Sequence, residues 1–282
     1  MKARLFSLFI LLTCMLIQAQ EQAQAQTKAQ AQSQAQNQPQ QSFPYPALPD
    51  TLRSVEQRAG YLSEHYWDNY NFADTLMLKS EEVTEQGFVN FIDILGRFSP
   101  AIAQKGIAGF TRKAFLHAAA KERFESLIEH YFENPQSPLR NDRVYLLFLE
   151  EMKNSPCFNE TEKERIAFKI KTTNKNLPGD IAINFKFKDE NGKEHQLSDY
   201  KDQKVILYFY DPDCENCHEV SAWLKQQTIP ADIKVLKMVA DNHISYIYSL
   251  KNMPTIFLLD KENKVILKDC TAQELIENIS TK

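Results

Sequence analysis

Two cysteines, Cys214 and Cys217, enclose Glu215 and Asn216 in this 282-residue chain. At the start of a helix, this spacing puts the first thiol at the positive end of the dipole and the second one turn inward. Such a setting favours a reactive thiolate and a disulfide that opens and closes. The chemistry it points to is thiol–disulfide exchange. Cys214 attacks a substrate disulfide, and Cys217 then releases the mixed disulfide. Asp211, Asp213 and Glu215 surround Cys214 with negative charge, and the two flanking acids, Asp213 and Glu215, are the candidates for tuning its pKa. They oppose a dipole that stabilises a thiolate by about 1 kcal/mol. A less stabilised thiolate means a less favoured reduced form, so the pair is expected to act as a reductant. If the acids point into water, they contribute little.

Two other chemistries use the same residues. Cys214-Glu-Asn-Cys217-His218 also satisfies the pattern for covalent haem attachment, with His218 as axial ligand. The alternative for His218 is a solvent-facing helix residue. His218 and His243 with the Cys pair are too few for a zinc site, so no metal is expected. His65, His117, His130 and His195 are scattered and read as surface or packing residues. Tyr66 and Trp67 read as a hydrophobic anchor. No cofactor is expected beyond the redox disulfide itself. Of the other cysteines, Cys157 and Cys270 read as small core hydrophobes, with a structural bond between them as the alternative.

The elements around the pair fit this reading. Lys204 to Tyr210 is a continuous apolar run, expected as a buried central strand. After the motif, Val220, Trp223 and Leu224 share a helical face with Cys217. Strands are expected near 184–188, 194–197, 232–239, 255–259 and 264–268, and helices near 243–250 and 271–279, with Leu275 and Ile276 on the buried face of the last. Asn191-Gly192 signals a type I′ hairpin. Upstream, six helices are expected: one from a cap at Asp50, one around Phe88–Leu95, one over Ala101–Ala120 with Ser99 as cap and Pro100 in its first turn, one around Phe124–Tyr131, one over Val144–Met152, and one over Thr161–Lys171 with a Thr161/Glu164 capping box. They suggest an antiparallel bundle or an orthogonal array.

The chain therefore divides into a signal peptide (1–19), a Gln/Ala-rich linker (20–41), a helical domain (42–175) and a mixed domain (176–282). The leader has Lys2 and Arg4 before an apolar stretch from Leu5 to Ile17, too short to span a bilayer comfortably. Export to the periplasm or cell envelope follows, where disulfide chemistry is permitted. The rival reading of the leader is a lipoprotein signal anchoring Cys14 to a membrane. Net charge is −4, with no basic field for nucleic acid.

From residue 176 onward the order resembles the thioredoxin fold, most nearly the exported TlpA/ResA type of thiol–disulfide oxidoreductase. The residues that carry it are Gly179-Asp180-Ile181-Ala182-Ile183-Asn184-Phe185, Asn191-Gly192, Leu197-Ser198-Asp199-Tyr200-Lys201, the Cys214/Cys217 pair and Met253-Pro254-Thr255. The upstream half resembles the helical domain of unknown function that precedes such modules. The fold class is thus α+β in two domains: an all-α region, then a thioredoxin-like α/β sandwich with a central mixed sheet. The resemblance implies that Pro254 follows a cis bond and sits against the Cys pair as part of the site. It also implies protein thiols and disulfides of the envelope as partners, and a separate electron donor. Three departures matter. Asn216 replaces a proline inside the motif, Asp213 stands where an aromatic is usual, and Tyr208 occupies the place of a buried acid that takes the proton of the second cysteine, a role Glu215 is the candidate to fill. The stretch from Cys217 to Pro254 is too short for the family's extra strand–helix insertion. The competing functional reading is a binding module, with the helical domain recognising an envelope partner and the redox pair secondary.

Overall fold

The computed structural model describes residues 42–188 and 192–280. The leader, the linker, Cys14 and Asn191 of the hairpin turn lie outside the described residues. Among those described, no helix is long and apolar enough to cross a membrane.

The helical region starts at α1 (Val55–His65). Its cap is Ser54, not Asp50: the Ser54 hydroxyl accepts from the Gln57 N–H while the Gln57 side chain accepts from the Ser54 N–H. That reciprocal pair satisfies two orphan donors, which Asp50 cannot do from its place upstream. A five-residue helix, α2 (Thr75–Lys79), and a π-helical turn (Glu81–Glu85) lead into α3 (Gln86–Arg97). The expected helix over Ala101–Ala120 is two helices, α4 (Pro100–Ala114) and α5 (Ala118–Glu133). The chain breaks where Phe115 turns into the core, at 3% exposure. Ser99 makes no side-chain capping bond, though Pro100 does open the helix. α6 (Asp142–Asn154) is capped by Asn141, and α7 (Glu160–Thr173) by Asn159 with Glu162 reaching back. The capping box is thus two residues earlier than the expected Thr161/Glu164, consistent with asparagine being the stronger cap.

These helices enclose one aromatic core. The Trp67 ring lies at its centre, with centroids 5.1 Å from Phe110 and 5.2 Å from Phe124. Trp67 and Tyr66 are fully enclosed and serve packing. α1 and α4 approach at Gly106, where a Cβ would meet the Ser63 carbonyl oxygen at 2.9 Å.

The second region begins with an antiparallel pair, β1 (Lys186–Lys188) and β2 (Glu194–Gln196), and a 3-10 turn over Leu197–Tyr200. β3 (Lys204–Tyr210), α8 (Glu215–Leu224), β4 (Ile233–Val239), α9 (Asn242–Tyr248), β5 (Thr255–Leu259), β6 (Val265–Lys268) and α10 (Ala272–Ser280) follow. The four-stranded sheet runs β4-β3-β5-β6. β3 is parallel to β4 and antiparallel to β5. Its alternate residues feed two cores: Val205, Leu207 and Phe209 on one face, Ile206 and Tyr208 on the other. Burial on both faces is why the run reads as uniformly apolar. The stretch from Cys217 to Pro254 holds only the rest of α8, β4 and α9, without further elements.

The helical core and the two sheet cores share no residue. A cluster of charges lies between them. Lys268, at the end of β6, meets Asp142, at the start of α6, at 2.7 Å, with side chains 8% and 9% exposed. Arg140 bridges Asp142 at 3.4 Å and Asp269 at 3.1 Å, and also donates to the Asp269 carbonyl. Lys268 donates further to the Thr173 carbonyl at 2.8 Å. Burial pushes the Lys268 pKa down, against the upward pull of Asp142. Buried charges need this density of partners to be tolerated.

Candidate active site

The motif lies where β3 hands over to α8. Cys214 and Cys217 are joined in a disulfide, with Cα atoms 5.2 Å apart, inside the range that permits the bond without backbone movement. Cys214 is the N-cap of α8: the Cys217 N–H donates to its Sγ at 3.1 Å. A thiolate at that atom would keep the donor and meet the helix dipole. Cys214 is partly exposed, whereas Cys217 is 2% exposed. The geometry therefore distinguishes an accessible sulfur from a sheltered one. The loop ahead of them is held by Asp211, whose carboxylate accepts from the Asp213 N–H at 2.9 Å and whose carbonyl accepts from the Cys214 N–H.

Asp211, Asp213 and Glu215 are all exposed. Water screens their charge, which limits any effect on Cys214. Glu215, the candidate substitute for the absent acid, is exposed rather than buried. His218 is exposed, and its Nε2 donates to the Pro212 carbonyl at 2.9 Å, bracing the loop. Trp223, expected on the buried face of α8, is 39% exposed; Cys217 is the residue of that helix that is fully buried. The Met253–Pro254 bond is cis. The Met253 carbonyl oxygen lies 3.7 Å from Cys214 Sγ and accepts from the Asn216 amide at 3.3 Å. Asn216, where the family pattern has proline, thus ties the motif helix to the proline loop. Cys157 and Cys270 are both free, so the alternative bond between them is not formed. Each packs against a different core.

Comparison with known proteins adds to this geometry. Residues 17–176 match the family described as a domain of unknown function, DUF5106, and residues 178–266 match the AhpC/TSA family. A solved thioredoxin-like protein from Bacteroides caccae is 31% identical, covering 85% of this chain and 98% of its own, with a TM-score of 0.73. The chain belongs to the DUF5106 family, joined to a thioredoxin-like domain. The thioredoxin domain of a thiol-disulfide oxidoreductase from Bacteroides vulgatus is 17% identical over 37% of this chain and 96% of its own, at a TM-score of 0.32. An exposed lipoprotein thioredoxin from Streptococcus pneumoniae is 20% identical over 36% of this chain and 100% of its own, at 0.31. No protein of curated function matches. In this DUF5106 chain, the cysteine pair stands in a thioredoxin-like domain at disulfide distance.

A further polar contact is made only by tertiary packing. Tyr208 is 2% exposed, and its hydroxyl donates to the Cys217 carbonyl at 2.8 Å. Burial pushes its pKa up to about 12, so the hydroxyl stays neutral and takes no proton from the second cysteine. Release of a mixed disulfide through this pair would then lack a buried base. Tyr208→Asp is expected to speed that release by about 100-fold, the low end of general-base effects, while costing stability through a buried carboxylate. Stopped-flow decay of the mixed disulfide checks this; an unchanged rate would show that proton transfer from Cys217 does not limit release.

Proposed function

We propose that this protein is an exported thiol–disulfide oxidoreductase that reduces protein disulfides through Cys214 and Cys217. The observation that carries the reading is the Cys214 sulfur, at the N-terminus of α8 with the Cys217 N–H aimed at it. Reduction proceeds in two displacements. The Cys214 thiolate forms a bond to one substrate sulfur, and the other substrate sulfur leaves as a thiolate and is protonated. Cys217, as thiolate, then bonds to Cys214 and expels the second substrate thiol. Two electrons pass to the substrate, and the chain ends as the disulfide that the structure shows. A separate electron donor is needed to restore the dithiol. The reading takes no cofactor or metal. Covalent haem attachment would consume both sulfurs, and His218 is engaged by Pro212. The leader of residues 1–19 supports export, and the envelope supplies the proteins whose disulfides are the substrates.

The reducing direction rests on the surroundings of Cys214. Asp211, Asp213 and Glu215, though exposed and screened, bring no positive charge that would stabilise its thiolate, and the buried Tyr208 hydroxyl on the Cys217 carbonyl is neutral. A poorly stabilised thiolate makes the dithiol the better electron donor. Equilibration of the pair with a thiol redox buffer is expected to give a potential near the thioredoxin value of about −270 mV. A value near about −120 mV, where the strong periplasmic oxidant DsbA lies, would overturn the reductant assignment.

A further inference from the structure

A groove of about 450 Å³ opens beside the cysteine pair, and its walls come from both regions of the chain. Met253 and Pro254 form one end, with the Met253 carbonyl oxygen 3.7 Å from Cys214 Sγ. The floor is apolar: Val220, Ile256, Cys270 and Ala272. Amide side chains stand around it, Asn216 and Asn252 from the thioredoxin-like domain and Gln136 from the helical region. Pro135 completes the helical wall.

That wall is held in place. The Gln136 N–H donates to Asn134 Oδ1 at 2.9 Å, and the Ser137 N–H to the Asn134 carbonyl. Arg140 then fastens the loop to Asp269, the neighbour of Cys270, through both the carboxylate and the backbone carbonyl. The buried Lys268–Asp142 pair backs the same junction. The loop between α5 and α6 is therefore a fixed part of the groove.

We infer that the helical region supplies one wall of the substrate site, and that the groove takes an extended, uncharged polypeptide segment flanking the substrate disulfide. The lining argues for this occupant. An extended chain has unpaired N–H and C=O groups that amide side chains can satisfy, and side chains that an apolar floor can bury. Asp269, the one charged residue in the lining, is neutralised by Arg140. A small charged disulfide would find no counter-charge there. This inference rests on the redox reading above and adds that the DUF5106 region selects protein over small-molecule disulfides.

Gln136 is exposed, so substitution leaves its surroundings intact. The test uses the pre-reduced full-length chain in single turnover, with insulin as protein disulfide and bis(hydroxyethyl) disulfide as small one. The readout is the ratio of the two rates. Gln136→Trp, which fills the groove, is expected to lower the insulin-to-small-disulfide ratio about 10-fold, equal to about 1.4 kcal/mol of lost binding. Gln136→Arg, a flexible replacement that the exposed position accepts, moves the ratio in the same direction. Glu150→Trp, an exposed change on α6 outside the groove, keeps the wild-type ratio. A ratio unaffected by both Gln136 variants would overturn the wall while leaving the redox reading intact. An equal shift from Glu150→Trp would overturn it too. A wild-type chain inert towards both disulfides would remove the redox reading and the wall together.

Discussion

Cys214→Ser should leave the chain unable to reduce protein disulfides, with a loss of about 1,000-fold or more, as expected when the attacking group of a covalent mechanism is removed. Serine keeps the size of the side chain and its place at the head of α8, so the fold is retained. Cys217→Ser should behave differently. The first displacement still occurs, but no thiol remains to expel the substrate, so a mixed disulfide accumulates on Cys214. The asymmetry follows from burial: Cys214 is accessible and Cys217 is 2% exposed. Of the remaining cysteines, Cys270 cannot take over. Burial pushes the Cys270 thiol up to about 12, so it stays protonated and unreactive at neutral pH. Cys157 sits against the helical core.

Asp142→Ala should destabilise the protein by about 3–5 kcal/mol, the range for breaking a buried ion pair from one side. The mutation strips Lys268 of its carboxylate while leaving the ammonium enclosed, at 8% exposure. It also removes one of the two acids that hold Arg140. The Thr173 carbonyl remains as a hydrogen-bond partner for Lys268, which places the effect towards the lower end. Adding Lys268→Met should recover most of the loss, because the stranded charge goes with it. Denaturant unfolding of the two chains measures both effects. If Asp142→Ala unfolded like the wild type, the charge cluster between the helical region and the sheet would not be stabilising. The cluster also bears on chemistry, since Asp269 lies beside Cys270 in the groove.

The parts of this structure legible in the sequence are those carried by local pattern. The apolar run 204–210 announced a central strand because both of its faces are buried. The Cys pair marked the start of α8, and Met253-Pro254-Thr255 marked the entry to β5. Misplaced features have equally local causes. Two capping boxes compete around residue 160, since Asn159/Glu162 and Thr161/Glu164 have the same spacing. An alanine-rich run hides the break at Phe115, because its helical periodicity continues across it. α2 spans less than two turns, too few for a periodic signal. The site itself divides the same way. Cys214 and Cys217 are neighbours in sequence and could be read directly. The Tyr208 hydroxyl on Cys217, the Asn216 amide on Met253 and Gln136 across the groove are meetings made by tertiary packing. For Tyr208 and Asn216 there was a signal, since both depart from the family pattern. For Gln136 there was none: its position beside Cys270 depends on Arg140 reaching a residue 129 positions away.

The most direct test of the central claim is mass analysis of the Cys217→Ser chain after reaction with a disulfide-bonded protein. One covalent adduct per chain is expected, released by dithiothreitol and mapped by proteolysis to Cys214. An adduct on Cys157 or Cys270, or no adduct at all, would contradict it.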